Sequence, residues 1–97
     1  MKVYGADICI DCRNFKVINE NRGLGWEYID ITADTPTLKE FLVLRDTRPE
    51  MEEVRAEGGI GIPLFTDGER YALDMDDALA WLGLPPVEDS EIAEWRD

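Results

Sequence analysis

The sequence predicts an α/β domain: a small mixed sheet flanked by helices. Two observations carry that expectation. Two short strand-like segments, Lys2 to Gly5 and Trp26 to Ile31, enclose a stretch with apolar residues at helical spacing, and a β-α-β order requires a parallel pair with a right-handed crossover. Further on, Leu64-Phe65 and Tyr71 bracket the turn pair Asp67-Gly68, which demands an antiparallel pair. A sheet that holds both is mixed.

The elements follow in order. Val3 and Tyr4 make "KVYG" a first strand, ending in a loop at Ala6 and Asp7. From about Ile10, Cys12, Phe15 and Ile18 recur at helical spacing, and Arg22-Gly23 supplies a basic last turn and a glycine stop. "WEYIDI" is rich in aromatic and β-branched residues and reads as the second strand. Thr35-Pro36 looks like an N-cap followed by proline at the first helical position, and Leu38, Phe41, Leu42 and Arg45 share a stripe of the helix behind it. Pro49 should break that helix, with a short restart that turns Met51 and Val54 inward and stops at Gly58-Gly59. After the hairpin, Asp74 can cap a helix whose Met75, Ala78, Leu79 and Leu82 form one apolar face, ended by Gly83. Residues 1–83 are thus expected to form the domain. Residues 84–97 form an acidic tail, opened by Pro85-Pro86, in which one or two helical turns would dock loosely or not at all.

Composition narrows the class. With 97 residues, 44% hydrophobic and 33% charged, the chain suits a single globular domain. Twenty-two acidic residues against 10 basic give a net charge of -12, a surface that repels nucleic acid and anionic membranes, so neither is an expected partner. Solubility alone is a sufficient reason for such an excess. No apolar run has signal or membrane-span length, so the cytoplasm is the expected location; a monomer is the expected state, though no residue of the sequence specifies it.

In the cytosol a close cysteine pair is more often catalytic, redox-sensing or metal-binding than structural. Cys9 and Cys12, both cysteines of the chain, lie where the first strand gives way to the first helix. That spacing closes a short disulfide with little backbone movement. Cys9, at or just before the helix start, faces unpaired N–H groups and the helix dipole, which favour a thiolate, the nucleophilic form. Arg13 could help it, while Asp7 and Asp11 could hinder it. Cys12, one turn later, would be more buried, stay protonated and resolve a mixed disulfide formed at Cys9. Zinc is a rival, but a site would need Asp7, Asp11 or a second chain, because there is no histidine and no third cysteine. Two incidental buried thiols are the other alternative.

Val3-Tyr4 before the loop, Cys9-Ile10-Asp11-Cys12 at the helix start, Ile62-Pro63 opening the third strand and Asp76-Asp77 in the last helix resemble the landmarks of a glutaredoxin over residues 2 to 83. The resemblance implies a thioredoxin-like, glutaredoxin-type fold of βαβ-α-ββα order, with a cis Pro63 facing the cysteines. It implies a thiol-disulfide oxidoreductase acting in cell redox homeostasis, with protein disulfides or glutathione mixed disulfides as substrates. Glutathione, as co-substrate, or a thioredoxin-reductase-like enzyme would restore the dithiol, and no bound cofactor is needed. Beside Cys9, the backbone of Ile62 could pair with an extended substrate. On the residues alone, Pro63 could equally be a trans strand starter.

The chain departs from the family pattern at three points. Ala6-Asp7 stands where a lysine is usual, Ile10 where a proline follows the first cysteine, and Leu73-Asp74 where a glycine pair precedes the last helix. Arg45, Arg48 or Arg55 could replace the lost cation, or could be solvated helix residues. The Met75 backbone with Asp76 or Asp77 could hold a γ-glutamyl amine, or the two aspartates could simply complement the helix N-terminus. Ile8 fills the position where thioredoxins carry a tryptophan, which favours the glutaredoxin side of the fold. Trp26 and Trp81 read as core or core-edge residues. A redox-sensing or adaptor module that does not turn over is the alternative function, with the acidic surface and Ile92 and Trp95 as its binding face.

Overall fold

The structure, a computed structural model, describes residues 1–96. Four strands, β1 (Lys2–Gly5), β2 (Glu27–Asp30), β3 (Leu64–Thr66) and β4 (Tyr71–Ala72), form one open sheet in the order β2-β1-β3-β4. β1 runs parallel to β2, pairing Val3 with Tyr28, and antiparallel to β3, pairing Val3 with Phe65. β4 returns antiparallel to β3. The mixed sheet is therefore the one the β-α-β start and the hairpin require.

Alternation along the strands divides the interior into two layers. Val3 and Phe65 point to one face, where they pack with Phe15, Trp26, Ala78 and Leu79 beneath α1 (Ile10–Arg22) and α4 (Met75–Trp81). Tyr4 and Leu64 point to the other, against Phe41 of α2 (Thr35–Thr47) and Met51 in the 3-10 turn that precedes α3 (Glu52–Glu57). Phe15 anchors the first layer: its ring lies 5.5 Å from Phe65, 6.0 Å from Trp26 and 6.2 Å from Tyr28. Contacts of this geometry add about 0.5–1.5 kcal/mol each to the burial itself.

The ends of the elements refine the sequence reading. α2 is capped by Asp34, whose carboxylate accepts from the Thr37 N–H at 2.8 Å; Thr35 and Pro36 are its first helical residues. Asp outranks Thr as a cap, and Pro still sits where no intrahelical N–H is needed. The hairpin loop runs over four residues, because Thr66 pairs with Tyr71. Asp67 closes it by accepting from the Glu69 and Arg70 N–H groups at 2.9 and 2.7 Å. Those bonds hold its carboxyl down at about 2.

The tail is tied to the domain at several points. Arg22, at the end of α1, makes a paired contact with Glu91 at 2.7 and 2.7 Å and donates to the Pro85 and Pro86 carbonyls. Asp89–Glu91 form a 3-10 turn closed by a capping box between Glu88 and Glu91. Ion pairs 69 residues apart in sequence leave no local signal, which is why a loosely attached tail was the natural expectation. Among the described residues no helix is long and apolar enough to cross a membrane.

Candidate active site

Three segments build the site around the cysteines. β1 ends at Gly5, the Ala6 carbonyl accepts from the Cys9 N–H at 3.0 Å, and Cys9 becomes the N-cap of α1 with an extended backbone. Its side chain makes no capping hydrogen bond, so the sulfur is free of the first-turn amides. From the opposite side comes the Gly61–Pro63 loop, with a cis Ile62–Pro63 peptide bond. The Cys9 thiol donates a long hydrogen bond, 3.9 Å, to the Ile62 carbonyl, and so the two segments meet.

The two sulfurs differ sharply. Cys9 is partly exposed, with Ile8 beside it 84% exposed, whereas Cys12 is fully buried. Burial pushes the Cys12 thiol up to about 12; an Ala6 backbone hydrogen bond pulls it down, and neighbouring Cys9 pushes it further up. The tightness around Cys12 is visible at Gly5. A Cβ there would lie 2.9 Å from the Cys12 sulfur and 2.8 Å from the Tyr28 ring, closer than real contacts allow. Gly61 holds the facing loop in a similar way: its φ is +91, and a Cβ would lie 2.8 Å from Met51 Cε.

Next to this pair is a cleft of about 680 Å³, lined by Asn14 of α1, Pro63, Met75 and Asp76, with Val87 and Ile92 from the tail. Ile62 belongs to both places, lining the cleft and touching Cys9. Asp76 faces the cleft but is engaged, accepting from the Val87 N–H at 2.8 Å. Asp77 lies apart, on a separate hollow with Tyr71 and Trp81. Asp11, Asp74 and Asp89 add further carboxyls to the cleft, and among its described lining residues there is no lysine or arginine.

The arginines considered as replacement cations are used elsewhere. Arg45 donates to the Gly59 carbonyl at 2.6 Å, Arg55 to the Arg45 and Arg48 carbonyls at 2.7 and 3.0 Å. Arg48 pairs with Glu50 and stacks 4.4 Å from the Tyr71 ring. All three brace α2, the 3-10 turn and α3. Arg13 sits one turn beyond Cys9 and donates to the Asp7 carbonyl at 2.9 Å, but its other edge is taken by Glu94, at 2.8 and 2.9 Å. The carboxylate keeps the Arg13 guanidinium charged more firmly, and the guanidinium lowers Glu94. Asp7 accepts from Lys16 and Tyr28, and Asp11 pairs with Arg96 at 2.5 Å.

Glu94, Asn14 and Gly5 are site residues that sequence reasoning did not single out. Asn14 and Glu94 exchange two bonds, the Asn14 amide donating to the Glu94 carbonyl at 2.8 Å and accepting from its N–H at 2.9 Å. The signals were a polar residue on the helix that carries the cysteines and an acid in a distant tail, neither of which names the other.

Fold and site together define an α/β protein with a partly exposed and a buried cysteine at the start of one helix, opposite a cis-proline loop. No family model matches the chain, and no solved structure matches it. It is similar to a protein of Haemophilus influenzae (strain ATCC 51907 / DSM 11121 / KW20 / Rd) described as an uncharacterized protein. The two are 31% identical over 61 residues, 63% of this chain and 71% of that one, and the chain belongs to the same family as that protein.

Proposed function

We propose that the protein is a glutaredoxin-like thiol-disulfide oxidoreductase of thioredoxin-type fold, with Cys9 as nucleophile and Cys12 as resolving thiol. The observation that carries this reading is the contrast between the two sulfurs, one reachable at the N-cap of α1 and one buried a turn behind it. The strand order β2-β1-β3-β4, with β1 and β2 parallel, and the Ile62 carbonyl beside Cys9 support it.

The chemistry moves two electrons. The Cys9 thiolate attacks one sulfur of a substrate disulfide; a Cys9–substrate bond forms, the substrate S–S bond breaks, and the departing half takes a proton to become a thiol. Cys12 then attacks the Cys9 sulfur, its proton passing to the second departing thiolate, and a Cys9–Cys12 disulfide remains. Because burial keeps Cys12 protonated, it does not compete for the first attack. Two molecules of a low-molecular-weight thiol such as glutathione, or a dithiol enzyme, reverse the bond and leave with the oxidation. Pro63 and Ile62 shape the docking edge, Met75 and Asp76 border it along the cleft, and Arg13 stands on the other side of Cys9, at the Asp7 carbonyl.

Steady-state reduction of a small disulfide by excess glutathione tests the reading. Turnover that vanishes in Cys9→Ser supports it; one stoichiometric oxidation followed by silence points instead to a redox-sensing module. That second reading is favoured by one feature, the tail docked on the helix that carries the cysteines.

A further inference from the structure

We propose that Glu94 is a built-in counter-ion that withholds Arg13 from the substrate, so that the site in this form discriminates against disulfides carrying carboxylates. The inference rests on the oxidoreductase reading of Cys9 and adds the substrate class to it.

Arg13 is the cation that borders the nucleophile: its N–H bonds the Cys9 carbonyl at 3.0 Å, and its guanidinium reaches the carbonyl of Asp7, two residues before Cys9. A planar guanidinium in that place is suited to take a carboxylate two-pronged. The chain supplies that carboxylate itself. Glu94 takes Nε and Nη2 of Arg13, and the two bonds between Asn14 and the Glu94 backbone fix the acid in register. The cleft beyond offers an anion nothing better, since Asp11, Asp74, Asp76 and Asp89 line it without a described lysine or arginine.

The anchoring is graded along the tail. Arg22 and Glu91 are 17% and 25% exposed, a firm root for the segment. Arg13 and Glu94 are 38% and 44% exposed, the range in which an ion pair is weak and open to competition. Glu94 can therefore be displaced or removed without unseating the rest of the tail.

The test follows one thiol-disulfide exchange, so no reductant is present. Pre-reduced protein is mixed with excess cystamine, 2-hydroxyethyl disulfide or 3,3′-dithiodipropionate, small disulfides that differ in charge, and the loss of its thiols is timed. The wild-type protein should react slowest with the dianion. Glu94→Gln should raise the dithiodipropionate rate about five-fold while the hydroxyethyl rate changes by less than about two-fold. Adding Arg13→Gln to Glu94→Gln should cancel the gain, and Asn14→Ala, which keeps both charges but loosens the acid, should give a smaller gain of the same kind. Equal acceleration of all three disulfides by Glu94→Gln, or none, overturns the inference while leaving the oxidoreductase reading intact. A wild-type protein that reacts with none of the three defeats both.

Discussion

The two sides of α1 are held by opposite physics. Toward the sheet, Cys12, Phe15 and Ile18 are buried in close-packed apolar surroundings. Toward the tail, Asp11, Arg13, Asn14 and Arg22 make solvent-facing ion pairs and hydrogen bonds with residues 85–96. The packed side fixes what each sulfur can do, because burial selects which thiol keeps its proton. On the inference above, the ionic side governs what can approach, because its outer pair, Arg13 and Glu94, is open to competition while Arg22 and Glu91 hold the tail in place. A substitution on the first should change the chemistry or the fold; one on the second should change selectivity.

The largest expected effect is at the boundary between them. Cys9→Ser should reduce disulfide-exchange activity to the uncatalysed rate with an almost unchanged denaturation midpoint, since its thiol's backbone partner among the described residues is the Ile62 carbonyl, at a long 3.9 Å. On the packed side, Gly5→Ala pushes a methyl into the Cys12 sulfur and the Tyr28 ring, and should cost about 1–3 kcal/mol of stability in urea unfolding. Gly61→Ala should cost a similar amount, through its positive φ and the Met51 contact.

A pH dependence sharpens the comparison further. The Cys12 thiol is neutral when it holds its proton, and the folded chain binds that proton more tightly than the unfolded chain. Stability from this group is complete below pH 9 and is lost as pH climbs from 9 toward about 12. Tyr28 is shifted up as well, by burial first, and adds to the same loss. Urea midpoints measured from pH 8 to 11 should therefore fall with a shallower slope in Cys12→Ala. On the ionic side the direction reverses. Arg22 and the Glu88 N–H hold the Glu91 carboxyl down at about 2, against an ordinary 4.5, so its contribution is present above 4.5 and lost as pH falls toward 2. Protection of the tail amides from hydrogen exchange, taken relative to the intrinsic rate at each pH, should hold at pH 4.5 and fall below pH 3, and Arg22→Gln should lower it already at neutral pH.

How far the sequence could be read follows the same division. Elements whose signals are local were legible: Val3 and Tyr4 in "KVYG", the helical spacing of Cys12, Phe15 and Ile18, and Asp74 as a cap, which accepts from the Asp76 N–H at 2.9 Å. The cap of α2 was misplaced by one residue because "DTP" offers Asp34 and Thr35 side by side, and only the Thr37 N–H decides between them. The cysteines were legible as a pair, since their spacing is written along the chain; Pro63 beside them was implied only by the resemblance to glutaredoxins, because Ile62 lies 53 residues along the chain from Cys9. The tail was not. Arg13 and Glu94 are separated by 81 residues, and nothing near either one indicates the other. Arg45, Arg48 and Arg55 show the converse: the sequence left them either as replacement cations or as solvated helix residues, and their carbonyl, carboxylate and ring partners are visible only in the fold.

The assignment of roles to the two sulfurs is tested most directly by trapping the exchange half-way. Cys12→Ser, treated with a labelled mixed disulfide, should accumulate one covalent adduct on Cys9, whereas Cys9→Ser should gain almost none at neutral pH in the folded state. Adduct on Cys12 in the folded Cys9→Ser protein, formed as fast as on Cys9, would contradict the account.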